Sequence, residues 1–182
     1  MRSRLLSGRF LHYSSVVFSA LIFYSCGDNP GQSRATRHLS MMDDSLIQYN
    51  KSIVSKEDQQ IDDFIERHSL QMKKTSTGLR YQIIRSGKGI PAAKDKTASI
   101  IFTVRLLNGD PCYSSGPDHP REFVIGHSTV ESGLEEGILL MNVGDRAKFI
   151  VPSHLAFGLL GDQDKIPERA TLVYDVELIK VK

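Results

Sequence analysis

The spacing of apolar residues divides the chain into stretches of different period. Val16 to Tyr24 is nearly continuous in apolar character, yet too short to cross a bilayer as a helix, and Arg2, Arg4 and Arg9 precede it. From Gly27 to about Met42 no period holds, and Pro30, Gly31 and Ser33 predict a flexible tether over residues 26–42. Apolar positions then recur at helical spacing between Asp43 and Ser69. Leu46, Ile47 and Ile53 form a loose first stripe. Ile61, Phe64, Ile65 and His68 form a second behind Ser55 and Asp58, whose spacing predicts a capping-box start at that point. A helical segment over residues 43–75 is expected, its apolar stripe packing on the main domain, with homodimerisation as the alternative.

After Thr75 the period becomes two. Leu79 to Ile84 predicts a strand, Gly87 to Pro91 a turn, and Ala98 to Leu107 a long strand closed by Asn108-Gly109, a strong hairpin signal. Further strands are predicted over Glu122 to Ile125, Arg146 to Val151 and Thr171 to Val181. In the last, Leu172, Tyr174, Val176 and Leu178 alternate with Asp175, Glu177 and Lys180. Between them, Leu134, Ile138 and Met141 fall on one face of a short helix from Leu134 to Met141. Many strands around one short amphipathic helix make an α+β domain.

Composition narrows the class. With 182 residues, 40% of them hydrophobic, the chain can bury one core. Lys and Arg number 23 against 21 Asp and Glu; without the three leading arginines the balance is 20 to 21, or −1, so nothing points to nucleic acid. Cys26 and Cys112 are the two cysteines, and Cys112 beside Tyr113 reads as a packing residue rather than a nucleophile. The six histidines show no pairing at metal spacing, and no metal is expected. Gly87-Lys88-Gly89 lacks the further glycine and the helix start that a phosphate loop requires.

Two resemblances add to this reading. F-Y-S-C-G at Phe23 to Gly27 is similar to a bacterial lipoprotein cleavage box, which implies a signal peptide over residues 1–25, acylation of Cys26, and a protein lipid-anchored in the cell envelope at the outer membrane. The stretch G-L-E-E-G-I-L-L-M-N-V-G-D from Gly133 to Asp145, then R-A-K-F-I-V-P-S-H-L-A-F-G to Gly158 and K-I-P-E-R-A-T-L-V-Y-D-V-E-L from Lys165 to Leu178, resembles the signature half of FKBP-type peptidyl-prolyl isomerases. I-F-T-V-R-L-L-N-G at Ile101 to Gly109 looks like that family's pocket-lining strand and hairpin. The arrangement as a whole is similar to small FKBP-type lipoproteins of the Bacteroidetes, including those associated with gliding motility.

The FKBP resemblance implies an α+β domain over residues 76–182, with a curved antiparallel β-sheet wrapped around a short α-helix and preceded by the helical segment. It also implies catalysis without nucleophile, metal or cofactor, on proline-containing polypeptides. Carried over by position, the substrate-binding residues are Phe102, Tyr113, Phe123, Val130, Glu131, Leu134, Phe157, Ile166 and Tyr174. In the family, Phe102 and Phe157 are usually tyrosines, Tyr113 an acid, Glu131 an aliphatic and Tyr174 a phenylalanine; Cys112 replaces an aromatic, and Arg121 stands at a commonly aromatic position. The implied pocket keeps its apolar character and loses hydroxyls and its acid. Two functions follow from that pattern: an isomerase assisting the folding of exported proteins, or an FKBP-like binding module of a membrane secretion or motility assembly.

Overall fold

The computed structural model describes residues 30–127 and 129–182, with side chains from Leu46 onward. The expected signal peptide and Cys26 lie outside the described residues. One helix, α1, runs from Pro30 to Arg67. This corrects two expectations. The helix begins at Pro30, within the stretch expected as a tether, and it passes through Ser55 and Asp58 without a new start. Proline suits a first helical position because its fixed φ is helical and its missing N–H has no partner to lose there. The Asp58 carboxylate is taken by Lys74 and Arg80 instead of a backbone cap. No helix among the described residues is long and apolar enough to cross a membrane.

From Asn50 to Lys182 the chain forms one compact unit. Its strands are β1 (Lys73–Lys74), β2 (Arg80–Arg85), β3 (Thr97–Leu106), β4 (Pro111–Ser114), β5 (Arg121–Val124), β6 (Arg146–Val151) and β7 (Leu172–Val181). A second helix, α2 (Ser132–Leu139), precedes β6. The sheet is antiparallel in the order β1-β2-β6-β7-β3-β4, and β5 also pairs with β3. The expected strands are present with ends moved by a residue, and the α+β class holds. Pairing along β3 explains the edge: Thr97 to Ile100 bond β5 and Thr103 to Arg105 bond β4, so the chain must leave the sheet between Ser114 and Arg121.

Alternation along the strands sorts side chains onto two faces. Ile100, Phe102 and Val104 of β3, Ala147, Phe149 and Val151 of β6, and Leu172, Tyr174, Val176 and Leu178 of β7 enter one core with Leu134 and Ile138 of α2. The helix lies close against β6 because Gly137 has no side chain: a Cβ there would come within 2.7 Å of the Phe149 ring. The opposite face carries a smaller core, in which Ile61 and Phe64 of α1 meet Ile150 and Val173.

Polar contacts reinforce that second interface. Arg80, 2% exposed, donates to Asp58 at 2.6 Å and Asp62 at 2.9 Å and to the Gly78 carbonyl at 2.7 Å. Hydrogen bonds from Lys74 and then Arg80 hold the Asp58 carboxyl below its usual range. Glu57 accepts from the Ser153 N–H at 2.6 Å, the Ser153 hydroxyl at 3.0 Å and the Thr171 hydroxyl at 2.6 Å. The C-terminal half of α1 is thus bound to this unit by apolar packing and by charge-assisted hydrogen bonds.

Candidate functional site

A cavity of about 630 Å³ opens at the end of the main core, between β3, β4, the residues leading into α2, and the loop before β7. Its lining includes Phe102, Tyr113, Val130, Glu131, Phe157 and Tyr174 from the residues expected to bind substrate. Val104, Ser114, Arg121, Thr129, Ala156 and Asp162 complete it. Phe123, Leu134 and Ile166 do not line it; all three are buried in the main core. Phe123 on β5 and Leu134 on α2 both turn their side chains into that core. Cys112 is likewise buried, with its thiol shifted upward by burial and by the nearby Asp162 charge.

The floor and wall come from neighbouring strands. Val104 of β3 is paired with Tyr174 of β7, and the Phe102 and Tyr174 rings stand 6.1 Å apart, tilted by 37°. Tyr174 is 1% exposed, so it belongs to the core as much as to the cavity. Burial, then the Glu131 charge, raise its hydroxyl above the usual phenol range, with Arg121 acting in the opposite direction. The Arg121 guanidinium lies 5.7 Å from the Phe102 ring centroid, a cation over an aromatic face.

The loop from Gly158 to Arg169 brings Phe157 and Asp162 to the mouth. Its ends are joined by the Arg169 N–H donating to the Gly158 carbonyl at 2.8 Å, and Asp162 organises its interior by accepting from the N–H groups of Asp164 at 3.0 Å and Ile166 at 2.7 Å. Gly161 is required there: its φ is +65°, and a Cβ would lie 2.1 Å from the Ile166 carbonyl oxygen. The Tyr113 hydroxyl crosses from β4 to donate to Asp162 at 2.5 Å and to Asp164 at 3.2 Å. Desolvation would raise the Asp162 carboxyl; the Tyr113 hydroxyl and the loop N–H groups outweigh it and hold the carboxyl below its usual range. The same bonds raise the Tyr113 hydroxyl.

Glu131 occupies the position before α2, with φ −60° and ψ 136°, and its side chain makes no cap hydrogen bond to the helix. The first N–H groups of a helix have no intrahelical partner, so the backbone here presents donors at the edge of the cavity. Two carboxylates line the pocket: Glu131 from the helix start, which was among the expected residues, and Asp162 from the loop, which was not. Asp162 carried no signal in the sequence beyond a loop-forming Gly-Asp pair, and its approach to Tyr113 is a contact over 49 positions.

This geometry agrees with comparisons to known proteins. The family model described as FKBP-type peptidyl-prolyl cis-trans isomerase matches residues 88–179, just over half of the chain. The probable FKBP-type peptidyl-prolyl cis-trans isomerase FkpA of Neisseria meningitidis is 38% identical over 111 residues, which are 60% of this chain and 40% of that protein. FK506-binding protein 2 of Dictyostelium discoideum is 44% identical over 84 residues, or 45% of this chain and 62% of that one. Among solved structures, FkpA from Escherichia coli superposes with a TM-score of 0.61 at 26% identity, over 93% of this chain and 80% of that one. AtFKBP13 superposes at 0.57 and 27% identity, over 62% of this chain and 99% of that one. With the family match running from before β3 into β7 and including α2 and the cavity loop, the chain belongs to the FKBP-type peptidyl-prolyl cis-trans isomerase family.

Proposed function

We propose that the chain is a peptidyl-prolyl cis-trans isomerase acting on X-Pro bonds of exported proteins and assisting their folding in the cell envelope. The observation that carries the reaction is the aromatic cavity of Phe102, Phe157 and Tyr174 set beside the start of α2. An X-Pro bond rotates over a barrier of roughly 18–20 kcal/mol because twisting the amide breaks its resonance. The twisted amide has less charge separation than the planar one, so aromatic and aliphatic walls favour it over the ground state. A backbone N–H at Glu131 fixes the carbonyl while the prolyl ring enters between Phe102, Val130 and Tyr174. No proton moves, and no covalent bond forms or breaks.

The test is the purified chain on several X-Pro peptides and on a protein whose refolding is limited by proline isomerisation. Catalysis of both is expected; a folded chain with no rate above background on either would overturn the reading. The second reading, a binding module of a secretion or motility assembly like those of gliding Bacteroidetes, draws on the carboxylates in the cavity and the absence of tyrosine at Phe102 and Phe157. It requires X-Pro peptide affinity without turnover.

We further propose that Cys26 carries the lipid anchor, that the anchor holds the protein at the outer membrane, and that the helical segment before the sheet supports a homodimer. The anchor is motivated by the apolar run ending at Ser25-Cys26, and the dimer by the exposed Leu46, Ile47 and Tyr49. Cys26→Ser is expected to abolish fatty-acid labelling and to release the protein from the outer-membrane fraction. Sedimentation equilibrium reads the dimer, and a monomer at all concentrations would exclude it.

A further inference from the structure

The aromatic cavity contains a carboxylate, Glu131, that the Tyr174 hydroxyl serves with one hydrogen bond and Arg121 approaches only loosely. The Glu131 side chain is 8% exposed, and its Oε2 has no hydrogen-bond partner among the described residues. Arg121 Nη1 lies 4.0 Å away, beyond hydrogen-bond distance, and the Arg121 side chain is 35% exposed with its guanidinium over Phe102. The second carboxylate, Asp162, already accepts from Tyr113 and from loop N–H groups. Two negative side chains and one positive one line the cavity. Lys165, 5.1 Å from the Tyr113 ring centroid, does not line it.

A desolvated carboxylate oxygen without a donor is costly, and a cationic donor satisfies it better than a neutral one. Glu131 does not cap its own helix with a side-chain hydrogen bond, so its Oε2 is left for another donor. The aromatic rings beside it suit a cation as well as a prolyl ring. We propose that this cavity selects X-Pro segments with a lysine or arginine next to the proline, whose charged group reaches Glu131 Oε2. The inference rests on the isomerase reading for its reaction, but the selectivity it describes is a property of the binding cavity. An apolar neighbour such as leucine leaves Oε2 unpaired and buries it further, and an acidic neighbour is repelled.

The experiment is a panel of otherwise identical peptides with Lys, Arg, Leu or Glu on either side of the proline, assayed at low and moderate salt. Lys-Pro and Arg-Pro, or the reverse order, should exceed the leucine peptide in kcat/KM by about tenfold, with Glu poorest. Glu131→Gln should bring the ratio of lysine to leucine peptide close to one. Arg121→Gln, which removes the competing cation, should raise that ratio and provides an answer even if the Glu131 variant does not fold. A wild-type ratio of one or less at both positions overturns the proposal, as does a ratio that neither variant changes. If no peptide is turned over, the isomerase reading fails separately, and equilibrium affinities for the same panel decide the selectivity: lysine peptides must bind about tenfold tighter than leucine peptides.

Discussion

Glu57→Ala is expected to lower the unfolding free energy by about 3 kcal/mol or more, since three donors lose one shared acceptor. The Ser153 N–H and hydroxyl and the Thr171 hydroxyl all donate to this carboxylate, and Ser153 and Thr171 are themselves buried. Each unsatisfied buried group costs about 1–3 kcal/mol, reduced here by Glu57's own partial access to water. Urea titration with an unchanged m-value measures the shift; a loss below about 1 kcal/mol would mean that water replaces the carboxylate at little cost. The same contacts bear on where the folding unit begins. A chain starting at Lys74 would strip Ile61 and Phe64 from Ile150 and Val173 and leave the buried Arg80 without Asp58 and Asp62. Such a truncation is expected to be far less stable than the change in chain length implies, because the buried Arg80 guanidinium would keep only the Gly78 carbonyl as a partner.

Phe157→Ala should reduce kcat/KM on X-Pro peptides by roughly 30- to 100-fold, the equivalent of about 2–3 kcal/mol of aromatic contact with the substrate. The residue suits this test because it lies partly exposed on the loop before β7 and lines the cavity. Tyr174→Ala does not separate function from stability. Tyr174 is 1% exposed, and truncating a buried aromatic costs about 3–5 kcal/mol through the cavity it leaves. Thermal unfolding of the Phe157 variant alongside its kinetics distinguishes a lost contact from a lost fold. Activity within threefold of wild type, in a folded variant, would remove Phe157 from the site.

Much of the domain was legible in the chain itself. The alternation of Leu172, Tyr174, Val176 and Leu178 fixes which side of β7 faces the core, and the same rule assigns Phe102 and Val104 on β3. Asn108-Gly109 marks the connection from β3 to β4, where Gly109 adopts a φ of +97°. The helical spacing of Leu134 and Ile138 places α2 on that core. These are local periodicities; the site residues came instead from the family resemblance, and six of those nine converge on one cavity.

Depth and distant partners are not local. Phe123 on β5, Leu134 on α2 and Ile166 in the loop before β7 have the right chemistry, yet they are buried in the core and do not line the cavity, because local pattern specifies a side and not a distance from the opening. Ser55 and Asp58 carry the spacing of a helix start, but α1 continues through them, and the Asp58 carboxylate is taken by Arg80 and Lys74 from the sheet. The two carboxylates of the cavity depend on contacts of the same kind. Asp162 reaches it only when its loop folds back toward β4, and Glu131 turns inward only where α2 begins against Tyr174 and Arg121. Sequence periodicity therefore determined the sheet and its helix, the family resemblance pointed to the aromatic wall and Glu131, and contacts between segments far apart in the chain decided how deep those residues sit and brought Asp162 to the cavity.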